Sequence, residues 1–185
     1  MKRSLLTFLV LGAGLTARAE TTIQLDPART SVTFTLADVL HTVHGTFKLK
    51  RGSIQFDPAT GKASGEIVID VASGNSGSET RDKRMHKEIL ETARYPDAVF
   101  TPDHVTGELA LQGESQLDVH GTFAIHGAAH ETIFHFRSQV NGRDLTTSTD
   151  FVIPYVQWGM KNPSNFLLKV SDKVDVKVQA AGRVQ

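Results

Sequence analysis

Residues 31–36 read SVTFTL, and residues 42–50 read TVHGTFKLK. In both stretches apolar side chains alternate with polar ones at a period of two. Because successive side chains of a β-strand point to opposite faces, this alternation predicts strands with one buried face and one solvated face. A chain built from such strands must hide a continuous apolar surface, either in a sandwich or in a closed barrel.

The same alternation continues along most of the chain. It predicts strands at Thr22–Leu25, Ser31–Leu36, Thr42–Lys50, Ser53–Phe56, Ser64–Val71, Ala98–Thr101, Val105–Leu111, Gln116–His126, Glu131–Val140, Leu145–Ile153 and Lys173–Ala181. Short turns separate them, and Asn141-Gly142 is the strongest hairpin signal. We therefore expect an all-β fold, an antiparallel up-and-down barrel of about eight principal strands, which is the size at which a barrel encloses one ligand.

One segment, Glu79–Arg94, has helical periodicity instead. Met85, Ile89 and Ala93 recur every four residues and form a narrow apolar stripe on an otherwise charged segment. Pro96 predicts the end of the helix, because the residue before a proline avoids helical geometry. We expect this amphipathic helix to lie across the mouth of the barrel. A second irregular stretch, residues 154–164, holds the single tryptophan, Trp158, and is expected to close another part of the rim.

The first 19 residues have the pattern of a secretory signal peptide. Lys2 and Arg3 precede an apolar run, Leu5–Leu15, and Ala17-Arg18-Ala19 matches a cleavage site. The run is about 11 residues long, against about 20 for a spanning helix. The sequence therefore predicts cleavage after Ala19, one domain over residues 20–185, a periplasmic location and no transmembrane segment.

Composition excludes several classes of protein. The 20 basic residues balance 20 acidic ones, and three of the basic residues lie in the predicted leader, which argues against a nucleic-acid-binding protein. The chain has no cysteine, so it has neither a disulfide nor a thiol nucleophile. It also lacks a Gly-x-Ser-x-Gly or His-Glu-x-x-His motif, so we expect no catalytic residues and no enzyme activity.

Eight histidines raise the possibility of a metal site. Parity with the neighbouring apolar residues places His120, His126 and His135 on polar strand faces, while His126 and His130 flank one turn and supply only two ligands. Zinc requires three or four converging ligands. The sequence therefore predicts no metal site and no other cofactor.

The charges of the helix and the residues of the inner face each leave two interpretations open. Arg81 and Arg84 are suited to gripping an anionic head group at the barrel mouth, or they belong to a solvated face with local acidic partners. The inward phenylalanines are either core or ligand contacts. Glycines in the same inward register (Gly45, Gly65, Gly107 and Gly121) either bend the strands or leave space inside.

The order of short motifs along the chain resembles that of the YceI-like family of periplasmic polyisoprenoid-binding proteins. These motifs are residues 25–34 (LDPARTSVTF), 43–47 (VHGTF), 52–57 (GSIQFD), 81–86 (RDKRMH), 95–100 (YPDAVF) and 121–127 (GTFAIHG). The resemblance spans nearly the whole chain after the predicted leader.

The resemblance implies a lipocalin-like barrel whose apolar tunnel holds a long-chain isoprenoid lipid, such as a polyprenyl phosphate or a quinone tail, and it brings no catalytic residues. The inward apolar positions that match the family motifs are the predicted ligand contacts: Phe34, Phe47, Phe56, Phe100, Phe123 and Ile125. Arg81 and Arg84 are the candidates for the head group. The alternative function is a packed barrel that acts as an interaction or stress-associated module without lipid.

Overall fold

The computed structural model describes residues 20–37, 42–166 and 169–185, so the predicted leader and its cleavage site lie outside it. The strands are β1 (Thr21–Leu25), β2 (Ser31–Ala37), β3 (Thr42–Phe56), β4 (Ala63–Asn75), β5 (Asp97–Thr106), β6 (Gln112–Ile125), β7 (Ala128–Asn141), β8 (Asp144–Ile153) and β9 (Val174–Val184). The helical elements are a 3-10 turn (Pro27–Arg29), α1 (Glu79–Arg84) and a π-helical turn (Met85–Ile89).

Strands β2 to β9 form a closed antiparallel barrel in which each strand pairs with the next. Pairing of β9 with β2 closes it. Strand β1 lies end to end with β2 and pairs with the far halves of β3 and β9. The 3-10 turn separates β1 from β2, and the Asp26 side chain caps this turn by accepting a hydrogen bond from the Ala28 amide at 2.9 Å. The predicted up-and-down β-barrel of about eight strands is confirmed.

Two pairs of predicted strands are single strands in the structure. The predicted strands Thr42–Lys50 and Ser53–Phe56 are both parts of β3, because β-bulges absorb the break in alternation without ending the pairing. A further bulge at Pro102–His104 joins the predicted Ala98–Thr101 to the following segment in β5. The prediction of a strand reaching Leu111 is wrong, since Gly107 has φ +104° and ends β5.

The helix is shorter than predicted. It begins at Glu79 as expected but ends at Ile89, five residues before Arg94. The physical reason is Glu91, whose φ of +46° is a left-handed conformation that terminates helices. The Tyr95 amide then donates to the Glu91 carbonyl at 2.9 Å and closes the turn before Pro96. Ala93 therefore lies beyond the helix.

The inward glycines bend the strands or accommodate neighbouring groups. A β-carbon added to Gly45 would lie 2.2 Å from Cζ of Phe34, so the Phe34 ring occupies that space. Gly121 is enclosed by the backbone of Thr101 and Pro102 and by the Phe100 ring. Neighbouring groups therefore fill the space beside Gly45 and Gly121, and no empty space remains there.

The end of the barrel formed by the β3–β4, β5–β6 and β7–β8 turns is filled by buried apolar side chains. These include Leu25, Phe56, Val105, Leu117, Val140 and Leu145. The opposite end, under α1 and residues 154–166, is where the interior is open.

Candidate functional site

A single-ended cavity of about 300 Å³ occupies the end of the barrel beneath α1. Its wall consists of inward side chains from seven strands, β2 to β6, β8 and β9. The wall includes Val32, Leu36, Val43, Ile69, Val71, Ala98, Ile153, Val174, Val176 and Val178. Almost all of the lining is apolar, because the alternation of each strand directs its polar residues outward. This volume lies at the lower end of the range typical of ligand pockets.

The structure brings four of the six predicted ligand contacts to this cavity. Phe34, Phe47, Phe123 and Ile125 line it. Phe56 and Phe100 are both 4% exposed and face inward, but neither lines the cavity. Whether the four lining residues contact a ligand stays a prediction.

A cluster of aromatic rings borders the cavity on the side of β6, β7 and β8. Phe123 and Phe151 line the cavity, and the Phe134 ring packs against both, with its centroid 4.4 Å from that of Phe151 and 5.9 Å from that of Phe123. Phe100 packs edge-on against Phe134 at 4.8 Å. Rings at these distances and tilts attract one another, so the cluster is a cohesive layer.

The helical segment and residues 154–166 together form the roof. Met85, Ile89 and Leu90 supply its apolar underside from the helical side, and Tyr155, Met160 and Pro163 supply it from the loop. The helix approaches closely because residue 74 is glycine, since a β-carbon there would lie 2.6 Å from the Phe47 ring and 2.9 Å from Met85.

Two polar contacts join the two parts of the roof. Arg84 donates a hydrogen bond from Nη2 to the Pro163 carbonyl at 3.3 Å. Glu88 lies within 3.4 Å of Arg84 and 3.3 Å of Lys161, so its carboxylate bridges the helix and the loop. These two cations hold the pKa of Glu88 below its usual value, with Lys161 making the larger contribution.

Both predicted head-group residues border the cavity, but their surroundings differ. The Arg81 side chain is held by the loop before α1, where it donates hydrogen bonds to the hydroxyl and the carbonyl of Ser76 at 2.8 and 2.7 Å. Arg84 makes only long contacts of 3.3 and 3.4 Å, and its side chain is 44% exposed. Arg84 is therefore the cation better placed to turn toward a ligand at the mouth.

Tyr155 anchors the loop part of the roof. Its hydroxyl donates a hydrogen bond to the Ser171 carbonyl at 2.7 Å, and its side chain lines the cavity. Burial, with a smaller contribution from the charge of Asp172, raises the pKa of Tyr155 to about 12. The phenol consequently stays neutral and keeps this hydrogen bond over the physiological pH range.

Parity reasoning missed one histidine on the inner side of the barrel. His130 pairs with Phe123 in the β6–β7 register and stacks on Trp158, with ring centroids 3.9 Å apart and planes at 8°. Its Nε2 is buried and has no hydrogen-bond partner in the described chain, and desolvation lowers its pKa. His130 and the buried Phe134 are four residues apart in β7, so they lie on the same face of the strand. The sequence therefore already indicated that His130 faces inward.

The other histidines of the described ranges do not converge. His120 lies between Asp103 and Glu131 on the outer face, at 2.6 and 3.2 Å, and His135 contacts Asp118 at 2.6 Å. His126 is a turn residue rather than part of the predicted strand, with φ +52°.

Across residues 20–37, 42–166 and 169–185, no three metal-ligating side chains form a potential metal site. In the same ranges, no helix is long and apolar enough to cross a bilayer. His41, which the sequence places near His44, lies outside the described residues.

Comparison with protein families gives a match to the YceI-like domain over residues 23–181. The chain belongs to the YceI-like family. Relatives of this YceI-like chain include a UPF0312 protein from Pseudomonas savastanoi pv. phaseolicola, 29% identical over 138 residues, and one from Azotobacter vinelandii, 27% identical over 138 residues. Each alignment covers 73% of this chain and 70% of the relative. The family predicted from the order of the motifs is confirmed.

Solved structures share the YceI-like fold. Burkholderia cenocepacia BcnA aligns with a TM-score of 0.70 at 21% identity, covering 85% of this chain and 98% of BcnA. A polyisoprenoid-binding domain from Saccharophagus degradans implicated in plant cell wall breakdown aligns with a TM-score of 0.69 at 21% identity, covering 88% and 98%. At these identities the likeness establishes the barrel fold.

Proposed function

We propose that this YceI-like protein binds an isoprenoid lipid in the cavity under α1 and carries or sequesters it in the periplasm. The observation that carries the proposal is an apolar cavity that opens beside a cation, Arg84, inside a barrel whose other end is packed. The family membership and the polyisoprenoid-binding neighbour from Saccharophagus degradans support the ligand class. The leader pattern of residues 1–19 supports export.

Burial of the isoprenoid chain supplies the apolar part of the affinity. Each CH₂ group moved from water into the apolar cavity contributes about 0.8 kcal/mol. Association costs about 4 kcal/mol or more, so burial of roughly the first five carbon atoms only offsets that cost. Tight binding requires burial of more of the chain or contacts at the head group.

Arg84 is the residue proposed to supply those contacts. Its guanidinium offers paired donors that match a phosphate, and turning toward the mouth would replace only two long hydrogen bonds. Arg81 contributes positive charge from its fixed position at Ser76. A phosphorylated isoprenoid should therefore bind more tightly than a neutral one of the same chain length.

The direct test is recovery of lipid from the protein. The full chain is expressed for export, purified without detergent and extracted with organic solvent, and the extract is analysed by mass spectrometry. The matched pair is Val176→Phe, which fills the cavity, and Val152→Phe, which adds the same bulk at an exposed position. We expect an isoprenoid from the wild type and from Val152→Phe and little from Val176→Phe. Repeated extracts without isoprenoid, or equal recovery from both variants, would count against the proposal.

The head-group role is tested with Arg84→Gln against Lys87→Gln, an exposed position on the same helix that does not line the cavity. Arg84→Gln should weaken an isoprenyl phosphate at least about tenfold, as expected for loss of a charge-assisted hydrogen bond, and leave a quinone nearly unchanged. Lys87→Gln should affect neither ligand. Equal binding of the phosphate by both variants would remove Arg84 from the head-group site.

The alternative function is an interaction or stress-associated module that works without lipid. Both functions predict the same fold, so mass spectrometry of the extract separates them. The mass of the exported protein also tests the proposed leader, because cleavage after Ala19 leaves Glu20 as the first residue.

A further inference from the structure

The most exposed large apolar side chain of the described ranges is Phe166. It is 97% exposed, whereas the others with high exposure (Leu111, Ile133 and Val152) are between 51% and 71% exposed. A phenylalanine ring is among the side chains that gain most from burial, so full exposure in water is unfavourable. A single exposed apolar residue is nevertheless ordinary, and its surroundings decide whether it has a role.

The backbone on either side of Phe166 is held by hydrogen bonds. The Val170 amide donates to the Ser164 hydroxyl at 2.8 Å, and the Ser164 amide donates to the side-chain oxygen of Asn162 at 2.8 Å. The side-chain amide of Asn162 donates in turn to the Val170 carbonyl at 3.4 Å. Ser164 and Val170 are therefore fixed beside each other, and Phe166 follows Ser164 out into solvent.

Phe166 belongs to the end of the barrel where the cavity opens. Pro163 and Val170, which flank it in the sequence, both line the cavity. Arg84 borders the same mouth and donates to the Pro163 carbonyl at 3.3 Å. The exposed ring and the cavity mouth therefore lie on one face of the molecule.

The loop that carries Phe166 is positively charged. Residues 154–173 contain three lysines and one aspartate, a net charge of +2. Two of these lysines, Lys161 and Lys169, are exposed and lie on either side of Phe166 in the chain. Glu88 neutralises part of the charge by pairing with Lys161 at 3.3 Å. An exposed ring between cations is typical of a segment that binds an anionic lipid surface.

The opposite end of the barrel has an exposed apolar residue without cations. Leu111 is 71% exposed and lies in the turn between β5 and β6. The charged residues of positions 107–114 are Glu108 and Glu114. An exposed apolar side chain is thus combined with positive charge at the cavity mouth and not at Leu111.

We propose that Phe166 and the lysines beside it dock the cavity mouth onto the surface of an anionic phospholipid bilayer. The ring inserts at the boundary between headgroups and acyl chains, while Lys161 and Lys169 contact lipid phosphates. The small apolar area favours a bilayer over a protein partner, because a specific protein interface buries about 800 Å² on each side. Docking goes beyond the proposed function, since it does not require a loaded cavity.

One ring and a few cations give a weak and reversible contact. A whole myristoyl chain binds membranes with an association constant of only about 10⁴ M⁻¹, and one phenylalanine side chain has fewer carbon atoms to bury. Each cation near an anionic surface strengthens binding by about fivefold. The protein should therefore bind when lipid is in excess and dissociate readily on dilution.

The test is binding of the full chain, expressed for export, to phospholipid vesicles. Co-sedimentation at low ionic strength compares vesicles of phosphatidylcholine alone with vesicles of phosphatidylcholine and phosphatidylglycerol. The wild type should bind the mixed vesicles more tightly. This preference should disappear at about 1 M salt, where charges are screened beyond about 3 Å.

Variants at exposed positions identify the residues that dock. Phe166→Ser should weaken binding to mixed vesicles at least about tenfold, whereas Leu111→Ser should bind like the wild type. Lys169→Gln should weaken binding about fivefold. Its control is Lys62→Gln, an exposed position before β4 at the packed end. Because all four side chains are exposed, each variant should fold.

A tryptophan at the same position reports insertion directly. Phe166→Trp should keep the affinity of the wild type, because it conserves the aromatic ring. Its additional emission, relative to the wild type with Trp158 alone, should be quenched by brominated phospholipids. Binding without such quenching would overturn insertion of the ring.

The remaining outcomes separate docking from the proposed function. Equal binding by the wild type and Phe166→Ser, or no binding of the wild type to mixed vesicles, would overturn docking. A dimer of the wild type that Phe166→Ser abolishes would instead assign the ring to a second copy of the chain. Neither result touches the recovery of isoprenoid by solvent extraction. An empty extract from protein that docks would contradict the proposed function alone.

Discussion

Substituting alanine for Gly45 should destabilise the barrel through one identifiable contact. The new β-carbon would lie 2.2 Å from Cζ and 2.3 Å from Cε1 of Phe34, whereas ordinary carbon contacts begin at 3.4 Å. The Phe34 ring must therefore withdraw by more than 1 Å into the cavity that it lines. Overpacking of this kind costs about 1–3 kcal/mol. We expect a loss of that size in the free energy of unfolding, measured by urea denaturation, together with weaker lipid binding.

A double-mutant cycle tests the stated cause. Phe34→Leu shortens the clashing side chain, so the double variant should be more stable than the sum of the single effects by at least about 0.5 kcal/mol. Some loss will persist because the Asn75 carbonyl also lies 2.6 Å from the new β-carbon. Stability of Gly45→Ala within about 0.5 kcal/mol of the wild type, or additivity with Phe34→Leu, would refute the reasoning.

Three other predictions concern titratable groups. Tyr155→Phe should lower the free energy of unfolding by about 0.5–1.5 kcal/mol, because it removes one hydrogen bond. The wild type should lose stability between about pH 10 and pH 12, because the raised pKa of Tyr155 favours the neutral phenol in the folded state. This loss should be absent in Tyr155→Phe. Asp103, chiefly through its hydrogen bond, raises the pKa of His120. The stabilisation that protonated His120 gives should therefore be complete below about pH 6.5 and vanish as pH rises through the pKa that His120 has in the folded protein. The melting temperatures of His120→Gln and the wild type should then converge at high pH. Because desolvation lowers the pKa of His130, the emission of Trp158 should change with a midpoint below about pH 6.5, and the change should be absent in His130→Gln.

The alternation of side chains and the short turns between most of the strands together predicted the barrel, because burial of one strand face leaves few arrangements for antiparallel neighbours. It could not predict the depth of a residue along a strand. Phe34 and Phe56 have the same inward orientation, yet only Phe34 lines the cavity, because Phe56 lies at the packed end. The space beside an interior glycine likewise depends on the side chain that the neighbouring strand places there, such as Phe34 of β2 beside Gly45 of β3.

Local conformation accounts for the remaining differences. The end of the helix depends on a left-handed glutamate, Glu91, which no propensity favours. The contacts of Arg81 to Ser76 depend on the conformation of the loop before α1, whereas the long hydrogen bond of Arg84 to Pro163 arises where α1 meets residues 154–166. The sequence could identify both arginines as candidates but could not rank them.

The central claim is that an isoprenoid chain lies inside the barrel under α1. Intermolecular nuclear Overhauser effects between a ¹³C-labelled isoprenyl phosphate and the isotopically labelled protein test this directly. We predict contacts from the chain to Phe34, Ile69 and Val176, which line the cavity, and from the first carbons to Arg84. Contacts only to exposed apolar residues on the outside of the barrel, such as Ile133, would contradict the account.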